Sequence, residues 1–246
     1  MNLNNLINFN PSESDGYAYR IFSLQRFLEV LERKSLTLVS PAKWEDPFEN
    51  FIHHHFRKKY SDPTRVMRWY GGNLVGQCWT LHRETDAMWR IYSSDKNGVK
   101  VKVKIKSLFE ALWNSHYDPM TATTCCYLGK VEYQSKRMIS EVLKKPGLEK
   151  TLSGDDTAYK RALYLLLKRN EFSHEKEIRL IYEYISLEQL RNGAYYDVPI
   201  DPSGLFESIV LDPRMSETEF RMYRSGIEAL GYTGNITKSQ LYSLDI

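Results

Sequence analysis

Cysteine is scarce in this chain. The three present, Cys78, Cys125 and Cys126, are an odd number without zinc-ligand spacing, which argues against a disulfide framework and against a cysteine-held zinc. Reduced thiols fit this usage, and a cytoplasmic location is the expectation. Long apolar runs are missing too. The longest, Ala162 to Leu167, is far too short to span a bilayer, and the opening Met1 to Ile7 lacks a basic region followed by an apolar core and a cleavage site. No membrane partner is expected. There is no Gly-rich phosphate loop, neither a Walker pattern nor a GxGxxG after a strand, which disfavours a kinase, an ATPase or a Rossmann oxidoreductase. Charge of one sign is not in excess. With 34 basic against 31 acidic residues the net charge is +3, so the field of the whole molecule is weak and strong nonspecific nucleic-acid binding is not implied. Internal repeats, low-complexity stretches and Pro/Gly-rich linkers are absent as well.

What is there suits a folded soluble protein. The 246 residues are enough for one domain, taken as 1–246, with a polar leader at 1–16 and a helical insertion at 50–70. Aromatic residues reach 13%, and because rings stack on bases and nicotinamide as well as filling cores, this mildly favours a nucleotide-type ligand. Basic residues cluster at Arg57-Lys58-Lys59 and at Lys100, Lys102, Lys104 and Lys106. The second group alternates with Val99, Val101, Val103 and Ile105, the pattern of a half-buried strand whose lysine-lined face keeps a sheet edge soluble.

Hydrophobic periodicity predicts a strand at Tyr17 to Phe22, a helix capped by Ser23, and a strand at Leu36 to Val39. Prolines and clustered acidic and aromatic residues make Ser40 to Glu49 a structured loop, and helices are expected from there to Tyr70. Leu74 to Thr80 reads as strand, Thr85-Asp86 starts a helix through Tyr92, and Asp95 to Gly98 is a turn. Cys125 to Tyr133 reads as strand and Ser135 to Lys144 as helix. Tyr159, Ala162, Leu163, Leu166 and Leu167 share one helical face. Short strands at Tyr195 to Ile200 and Ser208 to Leu211, a helix capped by Ser216 and a last strand near Asn235 to Ser239 complete the chain. Strands and helices mix without βαβ alternation, so the expected class is α+β, with a mixed, mainly antiparallel (split) sheet flanked by helices.

The most informative segment runs from Phe172 to Glu183 and reads as one strand. Glu175, Glu177, Arg179, Ile181 and Glu183 would lie on one side of it, and Ile178, Leu180, Tyr182 and Tyr184 on the other. Such a strand offers a rigid platform for carboxylates; equally, alternating Glu and Arg on a half-exposed antiparallel strand form a solvated face of cross-strand pairs. His53-His54-His55 cannot close a metal tetrahedron alone, since consecutive helical residues point about 100° apart. Glu49 and His53 could join Asp46 around a cation, but no further anchor of known spacing exists, and no metal site is assigned. A metal-dependent nuclease stays open as an alternative, although in Glu175-Lys176-Glu177 the lysine points away from the acids. Cys78 beside Trp79 reads as a buried small hydrophobe.

Taken together, Tyr19-Arg20-Ile-Phe-Ser-Leu24, Ser40-Pro41 through Asp46-Pro47-Phe48-Glu49, Met88-Trp89-Arg90-Ile-Tyr92 through Gly98-Val99, His174-Glu-Lys-Glu177-Ile-Arg179 and Ile209-Val-Leu-Asp212-Pro213 resemble a bacterial family catalogued as domain of unknown function 2971. That label supplies no activity. More distantly, Arg20 to Leu31 resembles the opening strand and helix of ADP-ribosyltransferases, and Glu175-x-Glu177 resembles their acidic strand. The resemblance implies an ADP-ribosyltransferase-like fold and NAD as a consumed substrate. It makes Glu177 the carboxylate that stabilises the ribose as nicotinamide leaves, with Glu175 orienting the acceptor. It also implies Arg20 at the pyrophosphate, Tyr19 or Tyr92 stacked on nicotinamide, and Ser93 or Ser94 at an intermediate position. Tyr92 fits loosely, because it lies on an expected helix where the transferase residue lies on a strand. The function implied is a toxin or phage-defence effector acting on a macromolecular acceptor, nucleic acid or protein, with an antitoxin or regulatory partner. A noncatalytic ligand-sensing module that kept the cleft is a further alternative.

Overall fold

A computed structural model describes residues 5–44, 46–60, 74–116, 125–153, 157–183 and 195–244. In chain order the strands are β1 (Leu6–Ile7), β2 (Tyr17–Phe22), β3 (Ser35–Val39), β4 (Leu74–Thr80), β5 (Val99–Lys104), β6 (Cys126–Lys130), β7 (Glu132–Gln134), β8 (Leu167–Arg169), β9 (Glu177–Glu183), β10 (Tyr195–Pro199), β11 (Ser208–Leu211) and β12 (Ile236–Lys238). The helices are α1 (Leu24–Arg33), α2 (Phe51–Lys59), α3 (Asp86–Tyr92), α4 (Ile105–His116), α5 (Lys136–Lys144), α6 (Leu148–Ser153), α7 (Thr157–Leu165), α8 (Pro202–Leu205) and α9 (Glu217–Ala229). The class is α+β with mainly antiparallel pairing, as expected. The first four residues, 61–70 of the expected helical insertion, and Tyr184 lie outside the described residues.

The chain packs as two compact units, each assembled from three separate stretches, so no linear cut divides it. The first comprises residues 1–10, 37–78 and 116–197. Here the order is β1-β6-β9-β4, with β6 antiparallel to β9 and Val39 of β3 opposite Gly76 of β4. Strand β1 pairs parallel with β6, Leu6 against Leu128, so the polar leader contains a strand. The Asn5 amide donates to the Cys126 carbonyl at 2.7 Å. A small parallel pair joins β7 to β8. Helix α7 ends earlier than its apolar run because Leu165 and Leu166 turn inward beside Ala162, while Tyr159 stays exposed. These residues pack with Ile7, Leu74, Tyr127 and Ile181. A separate cluster of Phe51, Ile52, Phe56, Ile139, Leu148 and Leu152 fixes α2 against α5 and α6.

The second unit comprises residues 11–36, 79–115 and 198–246. Strand β5 lies between β2 and β11, antiparallel to both, and β12 pairs parallel with β11. The lysine-flanked strand is therefore interior rather than an edge. Its lysines are accommodated by partners: buried Lys100 meets Glu84 at 2.8 Å, and the Lys102 ammonium lies 3.7 Å from the Tyr17 ring centre. The valines are buried, Val99 opposite Phe22 and Val103 opposite Ala18 in register, and Phe22 meets Trp79 edge-on at 6.4 Å. Ser23 and Ser216 cap α1 and α9 as expected, the latter through a full capping box with Glu219. Helix α4, which starts directly at the end of β5, has no counterpart in the sequence reading.

Gly129 on β6 admits Leu166 across the strand: a Cβ there would lie 2.2 Å from Leu166 Cδ1, and Leu166 is itself buried. Gly129→Ala is expected to destabilise the protein by about 1–3 kcal/mol, the usual cost of overpacking, read as a lower urea midpoint at unchanged slope.

Candidate functional site

The candidate site lies in the first unit and grows from two short proline turns. Ser40 caps Pro41–Lys43 through the Ala42 amide, and the Trp44 amide then donates to the Pro41 carbonyl at 3.1 Å. Asp46 caps Pro47–Asn50, accepting from the Phe48 amide at 3.0 Å. In each turn proline supplies a preset φ at the first position and lacks only an amide hydrogen that would be unbonded anyway. The turns present Trp44, Asp46 and Glu49 toward β8 and β9. Gly76 of β4 leaves room for the indole, since a Cβ there would sit 3.0 Å from Trp44 Cζ2.

The acidic segment differs from the expected uninterrupted strand. Asn170–Glu175 forms a 3-10 turn, Lys176 takes a left-handed conformation at φ 43°, and β9 begins only at Glu177. Asn170, Ser173 and His174 favour such a turn, and the Lys176 amide closes it onto the Ser173 carbonyl. Nor is β9 half-exposed: all seven of its residues are buried. Charges tolerate that position because each is matched. Arg179, 0% exposed, donates from Nε and Nη2 to the two oxygens of Glu177, both at 2.9 Å. Its Nη2 also lies 3.1 Å from Glu49, its Nη1 reaches the Leu165 carbonyl at 2.5 Å, and Trp44 lies 4.5 Å from its Cζ.

Lys168 is the second organiser. Its ammonium has three hydrogens and meets three carboxylates: Glu49 at 2.7 Å, Glu175 at 2.5 Å and Glu177 at 3.0 Å. Next to it, Arg169 pairs with Asp46 at 3.3 Å, and the Phe48 and Phe172 rings lie 4.4 and 5.1 Å from its guanidinium. The backbone pins Glu177 from behind, its amide donating to the Tyr133 hydroxyl at 2.8 Å and its carbonyl accepting from Val131.

Electrostatics separate the carboxylates. Burial alone would raise the Glu177 pKa, but the Arg179 charge and its hydrogen bonds, with Lys168, outweigh it and hold the group at about 2. For Glu49 burial prevails over Arg179 and Lys168, and its pKa is raised. Burial and the neighbouring Glu177 push the Cys78 thiol well up, so it serves as a hydrogen-bond donor to that carboxylate rather than as a nucleophile.

Thus Glu175 and Glu177 are brought together by one lysine. The other residues singled out from sequence belong to the second unit. Arg20 and Tyr19 are neighbours on β2 and so leave opposite faces of the sheet. The Arg20 guanidinium lies over Phe22 at 5.0 Å. Tyr19 borders a small enclosed space with Arg83, Glu84, Trp89 and Lys100, where burial raises its phenol pKa. Tyr92 is exposed at the end of α3, as its helical assignment implied. Ser93 is buried; its hydroxyl donates to Asp212 at 2.5 Å and accepts from the Gly98 amide at 2.8 Å. Arg214 completes that lock, 2.7 Å from Asp212.

Sequence reasoning missed Lys168 and Arg169. Two adjacent cations that follow an apolar run just before an acidic segment were the available signal. Asp46 and Glu49, considered for a cation, face arginine and lysine instead, and the His53 side chain lies outside the described residues. Among those described, no three His, Cys, Asp or Glu are grouped to hold a metal.

Residues 88–180 match the model of the DUF2971 family, described as a protein of unknown function. This is the family recognised from sequence. The DUF2971 match spans under half of the chain; it includes Lys168, Glu175, Glu177 and Arg179 and leaves out Trp44, Asp46 and Glu49. No curated protein matches the chain. Among solved structures, Thermus sp. 2.9 DarT in complex with ADP-ribosylated ssDNA is similar over 92% of this chain and 95% of its own, at 10% identity and a TM-score of 0.40. The same protein in complex with NAD+ is similar over 92% and 96%, at 9% identity and a TM-score of 0.40.

Two predictions follow from the charge network. Glu177→Gln leaves buried Arg179 without its bidentate partner and is expected to cost about 3–5 kcal/mol, whereas Glu49→Gln, at a carboxylate whose charge burial already opposes, costs clearly less; chemical denaturation of both variants checks the order. The folded Glu177 binds its proton more weakly than an unfolded glutamate, so its stabilisation is full above pH 4.5 and is lost as pH falls toward about 2. The acid-unfolding slope in that window is expected to flatten in Glu177→Gln.

Proposed function

We propose that the chain is an NAD-consuming transferase of the ADP-ribosyltransferase kind, with the carboxylate cluster around Glu177 as its reacting centre. One observation carries this reading. Among the described residues, four carboxylates, Asp46, Glu49, Glu175 and Glu177, converge on three cations, Lys168, Arg169 and Arg179, in a region nearly closed to water, where burial raises the pKa of Glu49 and a further positive charge would favour its ionised form. A cationic nicotinamide ring, and the positive charge that moves onto the ribose as the ring departs, is the complement such a site lacks. The bond from ribose C1′ to the ring nitrogen breaks with its electron pair going to nicotinamide. A nucleophile of the acceptor then bonds to C1′ and gives up its proton. Glu177, ionised across the physiological range, stabilises the intermediate charge, and Glu175 orients the acceptor. The resemblance alone assigns Arg20 to the pyrophosphate and Tyr19 or Tyr92 to the nicotinamide face; the hydroxyl of Ser93 is already engaged by Asp212 and Gly98. A macromolecular acceptor and a toxin or phage-defence role are the finer form of this proposal.

A second reading, a noncatalytic ligand-binding module, is favoured by a different fact. Both oxygens of Glu177 already accept hydrogen bonds, and the residue is only 5% exposed. For a metal-dependent nuclease, a metal ion would have to displace lysine and arginine from Asp46 and Glu49.

The test is nicotinamide release from NAD by purified protein, with and without EDTA, in the presence of RNA, single-stranded DNA or lysate proteins. Metal-independent release is expected. In Glu177→Gln, measured on protein shown to be folded by its melting transition, it should fall by at least about a hundredfold, the scale of losing one electrostatic stabiliser. Thermal stabilisation by NAD without release under any acceptor would replace the transferase by the binding module.

A further inference from the structure

A second feature of the first unit is independent of the carboxylate cluster. Helices α2, α5 and α6 meet around an open groove of about 660 Å³ whose charged lining is Lys59, Lys144, Lys145, Lys150 and Glu149. Those five residues sum to +3, and to +2 with Glu141, which pairs with Lys144 at 2.9 Å, so the groove is basic although Lys59 and Lys144 each meet a glutamate. Arg57 and Lys58 add two exposed cations on the last turn of α2. The groove is built, not incidental. Phe56, Leu148 and their neighbours form a buried floor, and the Lys59–Glu149 pair at 2.5 Å ties walls that lie 90 residues apart in sequence. Next in the chain to Lys59, half-buried Tyr60 stacks on the lining residue Phe56 at 6.3 Å and 14°, with the Lys59 ammonium 5.7 Å from its ring.

We propose that this groove docks the phosphate backbone of a single nucleic-acid strand. Its volume suits a small-molecule site, but such sites carry a few polar groups in an apolar lining, whereas here four lysines stand beside Phe56, Leu143 and Leu148 in an open groove. Flexible ammonium groups along a concave track, next to one aromatic face held in a fixed orientation, are what a charged strand with stackable bases requires. Contacts to phosphate position a strand without reading its bases, so binding through these ammonium groups is independent of sequence. Concavity separates this site from one for an anionic membrane, which is planar and calls for apolar anchors beside the cations. The assignment does not rest on the NAD reading, and its test uses no NAD.

Fluorescence anisotropy of a labelled oligothymidylate of about 20 nucleotides, titrated with the full chain at several salt concentrations, reads the proposal. With three to four phosphates engaged, the log–log salt slope is expected near −2 to −3, at about −0.7 per contact. Lys145→Gln/Lys150→Gln should weaken binding about tenfold or more and make the slope shallower by about 1, whereas Lys104→Gln/Lys106→Gln, which removes the same charge from exposed positions of the second unit, should leave both unchanged. Tyr60→Leu should weaken oligothymidylate binding without changing the salt slope. No binding at low salt, equal losses in the two double variants, or retention on phosphatidylserine vesicles with none on the oligonucleotide would each overturn the assignment.

Discussion

Everything in the first unit is arranged around the buried guanidinium of Arg179. An arginine cannot shed its charge at any accessible pH, so a fold that encloses one must surround it with acceptors. Glu177 supplies a matched pair of oxygens, Glu49 a third contact and Leu165 a backbone carbonyl, and the indole of Trp44 covers its face. These partners come from a proline turn, from the strand itself and from the end of a helix. Satisfying one cation therefore fixes the relative position of three elements. Lys168 repeats the principle with a point charge in place of a planar fork, gathering three glutamates whose mutual repulsion would otherwise separate them.

The second unit uses the same chemistry to a different end. Arg214 and Ser93 close on Asp212, and Lys100 closes on Glu84 beside Trp89, so each of these two acids meets one cation. Around Glu177 the acids and cations instead share partners, Lys168 meeting three glutamates and Arg179 two.

Much of the fold was legible because it is local. Caps such as Ser23 and Ser216, the alternation at Tyr17 to Phe22 and the break at Pro146-Gly147 depend on neighbours a few residues away, and they appear as expected. Glu177 and Arg179 were legible as residues sharing one face of a strand, where cross-strand pairs were expected and the structure pairs them within the strand. Their burial was not, because alternation describes which residues share a face and says nothing about what covers it. Lys168 escaped notice for the same reason, since a lysine becomes a hub only when three carboxylates distant in sequence converge on it. The lysines of β5 misled in the reverse sense: a pattern suited to an edge was placed at the centre of a sheet once glutamate and tyrosine partners were available.

The pairing of Leu6 with Leu128, and of Glu49 with residues beyond 165, has a consequence for how the chain matures as it is made. During synthesis from the amino terminus, β1 has no partner until β6 has emerged, and Glu49 has no cation until β8 and β9 follow. The first unit therefore cannot close in stages. Most of its sequence must wait in an open form and then order together, in a late step dominated by non-local contacts that is slow and exposed to misassembly. Arg179, among the last of its residues to appear, is also the one whose burial is worth least until every partner is present.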